Sequence, residues 1–209
     1  MRKSLLTLAV LALIVAPAMA GKFNKKIDIG QKAPDFSGIE AIDAKGSSTS
    51  VSLADLKEDV VVVVFLANHC PYVVAIEDRL IDFANTYKDK NVKLVGIAVS
   101  GKNTRSQDDL TAIRARAKEK GFNFTYGFDD SQDVGRAYNA TNTPQFFVLN
   151  KDRKVAYQGA YDDSPMNEAK ASKFYVKDAV NALLSGKEVE VKETQQIGCG
   201  ISYDKKASN

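Results

Sequence analysis

The sequence has few cysteine and histidine side chains: two cysteines and one histidine among 209 residues. His69 and Cys70 are neighbours, and two adjacent donors do not supply the three or four ligands of a zinc site. We therefore expect no metal site, and nothing in the chain requires an organic cofactor. The positions of Cys70 and Cys199 become the most informative feature of the chain.

The sequence also lacks an apolar run long enough to cross a membrane. The run Leu5–Val15 covers eleven residues, whereas a spanning helix needs about 20. Arg2 and Lys3 precede this run and Ala18–Ala20 follows it, which is the pattern of a cleaved secretory leader. We expect residues 1–20 to be a signal peptide, and the rest to be periplasmic or secreted without stable membrane insertion.

Neither sign of charge dominates. The chain has 29 basic and 26 acidic side chains, and two of the basic ones, Arg2 and Lys3, belong to the predicted leader. This near-neutral balance gives no electrostatic reason to expect a nucleic acid or an anionic membrane as partner. The length of residues 21–209 is typical of a single domain, with a polar tail from about residue 187.

The hydrophobic pattern predicts alternating strands and helices. The run Val60–Ala67 is apolar and rich in β-branched residues, which is typical of a strand covered on both faces. A helix follows from Cys70 to Tyr87, then a strand at Val92–Val99 and a helix at Gln107–Lys120 that Gly121 ends. This alternation predicts parallel pairing and an α/β fold.

The other predicted elements complete a central mixed sheet with helices on both faces. They are a hairpin within residues 21–50, a strand at Phe122–Phe128, a helix at Ser131–Tyr138, antiparallel strands at Gln145–Leu149 and Lys154–Gly159, and a helix at Asn167–Leu184.

Cys70 occupies the predicted junction between strand and helix, and Pro71 suits the first helical turn. A thiol there faces unpaired backbone N–H groups and the positive end of the helix dipole, which favour the thiolate. Cys70 is therefore a candidate nucleophile. The alternative is an unreactive buried cysteine.

Four motifs resemble the thioredoxin superfamily, and within it the redoxin branch that contains peroxiredoxins and alkyl hydroperoxide reductases. The resemblance is closest to a peroxiredoxin-like subgroup and covers about residues 28–203. The motifs are Gly30–Phe36, Asn68–Val73, Thr143–Phe147 and Ile197–Cys199. The resemblance implies a thioredoxin-like fold, a nucleophilic Cys70, and a cis Thr143–Pro144 bond beside its sulfur, where Thr143 would pair with an extended substrate.

The chain also departs from both family patterns. Val73 stands where a dithiol motif has its second cysteine, and Val64 stands where thioredoxins have a buried acid. The peroxiredoxin pattern requires a hydroxyl and a proline where this chain has Ala67 and Val63, which argues against fast peroxide reduction. Slow oxidation of an exposed thiolate remains chemically reasonable.

Cys199 is a candidate resolving thiol, acting from a mobile, glycine-flanked tail through the mixed disulfides of thiol exchange. Two alternatives stay open. A permanent Cys70–Cys199 disulfide would stabilise the fold by about 4–5 kcal/mol and silence the thiol, or the two cysteines would lie too far apart to pair.

Two polar neighbours are candidates for tuning the thiolate. His69 can act by its charge or be a structural surface residue. Glu77 lies two helical turns after Cys70 and is a candidate proton acceptor, although we favour a solvated side chain. We interpret the acidic pairs Asp129–Asp130 and Asp162–Asp163 as solvated loop charge and helix caps.

The leading hypothesis is an exported thiol–disulfide oxidoreductase, with Cys70 as nucleophile and Cys199 as resolving thiol. Pro71, Thr143 and Pro144 would position the substrate. Its partners would be protein or small-molecule disulfides or peroxides, together with a thiol reductant. A peroxiredoxin-like thiol peroxidase with an antioxidant role is the second hypothesis. A thioredoxin-fold binding domain without catalysis is the third.

Overall fold

A computed structural model describes residues 21–205, so the predicted leader at residues 1–20 lies outside the described residues. Nine strands lie within those limits. They are β1 (Ile39–Ile42), β2 (Ser48–Val51), β3 (Val60–Leu66), β4 (Val92–Ala98), β5 (Thr125–Phe128), β6 (Asn142–Thr143), β7 (Gln145–Leu149), β8 (Val155–Gly159) and β9 (Cys199–Gly200).

Six α-helices accompany the strands in residues 21–205, and none of them is long and apolar enough to cross a membrane. They are α1 (Pro71–Val74), α2 (Glu77–Tyr87), α3 (Arg105–Asp108), α4 (Leu110–Lys120), α5 (Asp133–Ala137) and α6 (Tyr175–Leu184).

Seven strands form one mixed sheet in the order β2-β1-β5-β4-β3-β7-β8. The pairs β3–β4 and β4–β5 are parallel, and the remaining pairs are antiparallel. The prediction of a central mixed sheet is confirmed. Because β7 runs antiparallel to β3, with Gln145 opposite Phe65, the turn before β7 lies beside the end of β3 where Cys70 follows.

The core has two parts, one on each face of the sheet, and β3 contributes to both. Val62 and Val64 face the cluster that contains residues of α2, α4 and α6. Val63 and Phe65 face the cluster that contains α5 and the segment before β1. Alternate side chains of a strand point to opposite faces, which explains why every position in this run is apolar.

Two predicted helices are divided in the structure. The helix predicted from Cys70 is broken between α1 and α2, where Ile76 leaves helical geometry with φ −111° and ψ 0°. The Arg79 guanidinium donates to the Ala75 carbonyl across this break at 3.2 Å. Asp109, which is extended, separates α3 from α4 and accepts a hydrogen bond from the N–H of Ala112.

The last predicted helix begins at Tyr175 instead of Asn167. The Asp163 carboxylate accepts hydrogen bonds from the N–H groups of Ser172 and Lys173. These bonds hold Ser172 and Lys173 against Asp163, so that helix α6 does not extend toward Asn167.

A second, two-stranded sheet was not predicted. It pairs β6 with β9, placing Thr143 opposite Cys199 and Asn142 opposite Gly200. The polar C-terminal tail is therefore bound to the domain next to the end of β3.

Candidate active site

Cys70 is the N-cap of α1 and follows β3 by a short turn. Its N–H donates to the Ala67 carbonyl, and its own carbonyl accepts from Val73 and Val74. Pro71 occupies the first turn of α1, where a missing N–H has no cost. The Cys70 side chain has 0% exposure, so its sulfur is covered by other parts of the chain.

Thr143 and Pro144 shield one side of the Cys70 sulfur. The bond between them is cis, and the Thr143 carbonyl oxygen lies 3.0 Å from Cys70 Sγ. The structure thus brings together the three residues that the resemblance to thioredoxins implied.

Cys199 shields the other side of the Cys70 sulfur. Its Sγ lies 2.8 Å from Cys70 Sγ although 129 residues separate the two cysteines. Both are free thiols in this structure, and a disulfide bond is about 2.0 Å long. A small movement of either side chain therefore brings the sulfurs to bonding distance when an oxidant removes two electrons, and the alternative in which the cysteines lie too far apart is wrong.

The tail around Cys199 is docked, in contrast to the mobile segment that we expected. The Ile201 N–H donates to the Thr141 carbonyl at 2.8 Å, and the Tyr203 hydroxyl donates to the Ala140 carbonyl at 2.7 Å. Gly198 lies so close to Thr143 that a Cβ atom would overlap the Thr143 carbonyl. Glycine at this position is required by the close approach of two backbones.

The two thiols have opposite electrostatic environments. Burial raises the pKa of the Cys70 thiol, but hydrogen bonds from Cys199, from the Thr143 side chain and from the Val73 N–H lower it, and the net direction is downward. Burial raises the pKa of Cys199, and its interaction with Cys70 raises it further, to about 11. Of the two thiols, Cys70 therefore loses its proton more readily than Cys199.

His69 is held by a buried carboxylate. Its Nδ1 lies 2.6 Å from Asp108 Oδ2, and the Asp108 side chain has 0% exposure. The same carboxylate accepts hydrogen bonds from the Asn68 N–H and the Ser100 hydroxyl. Asp108 therefore fixes the turn directly before Cys70.

His69 also lines a cavity of about 140 Å³ together with Thr143 and Gly200. The imidazole is 31% exposed, which is enough for a water or small solute to reach it. The structure thus places His69 beside a cavity that residues of β6 and of the docked tail also line.

Glu77 is not solvated, and our preferred interpretation was wrong. It is 2% exposed and accepts two hydrogen bonds of 2.7 Å from Arg116, with Lys120 Nζ at 3.6 Å. These cations explain its burial, because a carboxylate leaves water only when it is paired. Glu77 links α2 to α4 in an ion-pair cluster.

Asp129 and Asp162 are likewise buried, so solvated loop charge does not describe them. Asp162 pairs with Arg79, which also donates to the carbonyls of the following loop. Asp129 accepts from the N–H of Gly135 in α5, consistent with capping. Burial raises the pKa of Asp129 more than these hydrogen bonds lower it.

Among residues 21–205, no group of three or more His, Cys, Asp or Glu side chains is arranged to hold a metal ion.

The redoxin family model matches residues 28–174, the part of the chain that contains Cys70, Thr143 and Pro144. The chain belongs to the redoxin family. Redoxins are oxidoreductases, and the oxidoreductase class predicted from the sequence is shown by this match. Cys199 lies beyond the matched residues, so any role for it in this redoxin rests on the structure.

Solved structures show the same fold. A conserved protein from Geobacillus kaustophilus is 34% identical, with a TM-score of 0.78 over 87% of this chain and 95% of that chain. A protein from Sinorhizobium meliloti is 33% identical, with a TM-score of 0.76 over 85% and 96%. The thioredoxin domain of a thiol-disulfide oxidoreductase from Bacteroides vulgatus is 22% identical, with a TM-score of 0.53 over 69% and 96%. A comparison with curated proteins found no match.

Sequence reasoning missed Asp108 as a neighbour of His69, and it missed the docking of the tail. Asp108 was missed because it lies inside the helix predicted at Gln107–Lys120, which the structure divides at Asp109. No local signal exists for the second, because β9 is two residues long and its partner strand is 57 positions earlier.

Proposed function

We propose that this redoxin is an exported thiol–disulfide oxidoreductase that cycles between a Cys70/Cys199 dithiol and a Cys70–Cys199 disulfide. The observation that carries the proposal is the 2.8 Å approach of the two sulfurs, supported by the pairing of Thr143 with Cys199. Val73 prevents a local dithiol, and the docked tail supplies the second thiol in its place.

The proposed reaction is a two-step exchange. The Cys70 thiolate attacks one sulfur of a partner disulfide, so that a Cys70–partner bond forms and the other partner sulfur leaves as a thiolate. Cys199 then loses its proton and attacks Cys70 Sγ, which forms the Cys70–Cys199 bond and releases the second partner thiolate. The partner gains two electrons and the redoxin loses two, and an external dithiol reductant restores the reduced state.

The electrostatics fit these assigned roles. The lowered pKa of Cys70 favours a nucleophilic thiolate and also a good leaving group. The raised pKa of Cys199 keeps it protonated until the mixed disulfide removes the negative charge of Cys70. Cys199 therefore does not compete with Cys70 for the first attack.

The decisive experiment compares the wild type with Cys70→Ser and Cys199→Ser in the reduction of a protein disulfide such as insulin by a dithiol. We expect Cys70→Ser to lose turnover, and Cys199→Ser to accumulate a mixed disulfide at Cys70, identified by mass spectrometry. Wild-type protein in oxidising buffer should contain the Cys70–Cys199 disulfide. Turnover by Cys70→Ser at the wild-type rate would refute the proposal and favour a binding domain.

The same preparations separate disulfide exchange from peroxide reduction. Ala67 replaces the hydroxyl of the peroxiredoxin pattern, so we expect hydrogen peroxide to oxidise Cys70 more slowly than a protein disulfide does. A faster reaction with peroxide would instead assign the Cys70/Cys199 couple to a thiol peroxidase.

Export is a part of the proposal that rests on the leader pattern. Fractionation of cells that express the full chain should place the mature protein outside the cytoplasm, with Gly21 as its first residue. An uncleaved chain in the cytoplasm would contradict export and leave the cysteine couple to be judged by the assays above.

A further inference from the structure

The segment Gly198–Asp204, here called the C-terminal cover, occupies the backbone edge next to the reactive sulfur. It pairs with β6 through Cys199 and Gly200, and the Asn142 side-chain amide donates to the Gly198 carbonyl at 3.0 Å. Cys70 has 0% exposure under this arrangement. In the docked state, no partner segment has access to the Thr143 edge or to Cys70 Sγ.

Two glycines of the domain, Gly101 and Gly135, leave space in which the cover packs closely. A Cβ atom on Gly101 would lie 2.8 Å from the Ser202 carbonyl oxygen, and one on Gly135 would lie 2.7 Å from the Tyr203 hydroxyl. Ile201 and Tyr203 also pack against the apolar cluster on one face of the sheet. The cover therefore has a specific docking surface and is more than a tail that happens to lie on the protein.

The far end of the cover is held by hydrogen bonds at Asp204. Its N–H donates to Gln132 at 2.8 Å, its carboxylate accepts from the Lys102 N–H at 3.1 Å, and its carbonyl accepts from Arg136. Lys102 is exposed and Arg136 is half-buried, so water can replace their bonds, whereas Gln132 is buried and its bond is the firmest of the three.

A second anchor lies just before the cover. The Thr194 N–H donates to the Gln158 carbonyl at 3.1 Å, and the Thr194 hydroxyl accepts from the Ala160 N–H at 2.9 Å. Between the two anchors, none of the hydrogen bonds found in residues 21–205 involves Gln195, Gln196 or Ile197. These three residues form a natural pivot, since the chain can turn there without breaking a hydrogen bond.

We infer that the C-terminal cover is a displaceable occupant of the partner-binding edge, and that the partner is an extended, cysteine-containing segment that replaces β9 on Thr143. The inference rests on the proposed function. It adds that the exchange with a partner requires the cover to swing away at residues 195–197, and that Cys199 returns with the cover to resolve the mixed disulfide.

The close contact at Gly198 also defines the chemistry of that partner. In the register of β9, the residue before the cysteine faces the Thr143 carbonyl, and a Cβ there would overlap it. A partner that binds in the same register therefore needs glycine before its cysteine. The position after the cysteine has no such restriction, because a Cβ on Gly200 would have no heavy atom within 4 Å.

The first test measures access to Cys70 in the reduced full-length chain, by its rate of alkylation with iodoacetamide followed by peptide mass spectrometry. Gly198→Ala disrupts docking directly, and the double variant Tyr203→Phe with Asp204→Ala removes two side-chain hydrogen bonds of the cover. We expect both to raise the rate, and the double variant to raise it about tenfold, as the loss of two hydrogen bonds implies. Gly200→Ala and Lys205→Ala are matched controls and should react as the wild type does.

The second test uses a synthetic peptide with the sequence of residues 195–203, its cysteine activated as a mixed disulfide with thionitrobenzoate. We expect the peptide to react with Cys70 faster in the cover variants than in the wild type. A second peptide, with alanine in place of the glycine before the cysteine, should react with Cys70 at least several-fold more slowly than the first.

The outcomes distinguish the two levels of the proposal. If the wild type forms no Cys70–Cys199 disulfide and reduces no substrate, the proposed function fails, and this inference fails with it. If the wild type cycles normally, but the cover variants alkylate at the wild-type rate or both peptides react equally, only the displaceable cover is refuted. The double variant keeps the test valid if Gly198→Ala does not fold, which the thermal unfolding curve of each protein will show.

Discussion

Replacing Asp108 with asparagine is predicted to destabilise the turn that presents Cys70. The Asp108 carboxylate is fully buried and accepts hydrogen bonds from three donors: the Asn68 N–H, His69 Nδ1 and the Ser100 hydroxyl. A hydrogen bond to a charged group contributes about 1.5–3 kcal/mol. Asparagine keeps one acceptor oxygen but turns an N–H group toward donors, so at least one such bond is lost.

The expected cost is about 2–4 kcal/mol of the free energy of unfolding, a large part of the 5–15 kcal/mol typical of a domain. Urea unfolding at neutral pH, followed by circular dichroism, measures it. Asp109→Asn is the matched control, because it removes the same charge one residue later while asparagine still caps α4. We expect the control to stay within about 0.5 kcal/mol of the wild type.

A double-mutant cycle with Ser100→Ala tests the assignment further. If the Ser100 hydroxyl acts through Asp108, the two substitutions together should cost less than their sum by about 1 kcal/mol. A stability of Asp108→Asn within about 0.5 kcal/mol of the wild type, or an equal loss in Asp109→Asn, would refute the reasoning about this turn.

Three other predictions follow from the described contacts. Asp162→Ala leaves the buried Arg79 guanidinium without its carboxylate and should cost about 3–5 kcal/mol in urea unfolding; a loss below about 1 kcal/mol would show that this pair is solvated. In the reduced protein, the alkylation rate of Cys70 should reach its plateau at a lower pH than that of Cys199, whose pKa is raised to about 11; a reversed order would exchange their roles. Gly121→Ala places a side chain at φ +70° with no neighbour within 4 Å, so thermal unfolding should show a loss of about 1 kcal/mol from the backbone alone; an unchanged stability would contradict that conformation.

Local sequence patterns predicted the main strand and the end of helix α4, because these features depend on neighbouring residues. The apolar run at Val60–Leu66 became the strand with core on both faces, and Gly121 ended α4 in left-handed geometry. The break at Ile76 was missed, since it depends on Arg79, whose guanidinium is also bound by a loop more than 80 residues later.

Buried charge was the main failure of sequence reasoning at the site. Glu77 and Asp162 were interpreted as solvated because acidic residues usually are. Their partners, Arg116 and Arg79, lie 39 and 83 positions away. Nothing in the neighbouring residues shows that such a cation will be present, and without it burial would be too costly.

Cys70 shows most clearly what the sequence alone determined. The strand before it, Pro71 after it and the missing cysteine at Val73 defined a single nucleophile at a helix start. The redoxin resemblance rested on the four motifs around it. The tertiary structure decided what that thiol faces. Bringing Cys199 within 2.8 Å across 129 residues depends on backbone pairing with β6, the gap at Gly198 and the anchors of the tail, contacts that exist only once the sheet has formed.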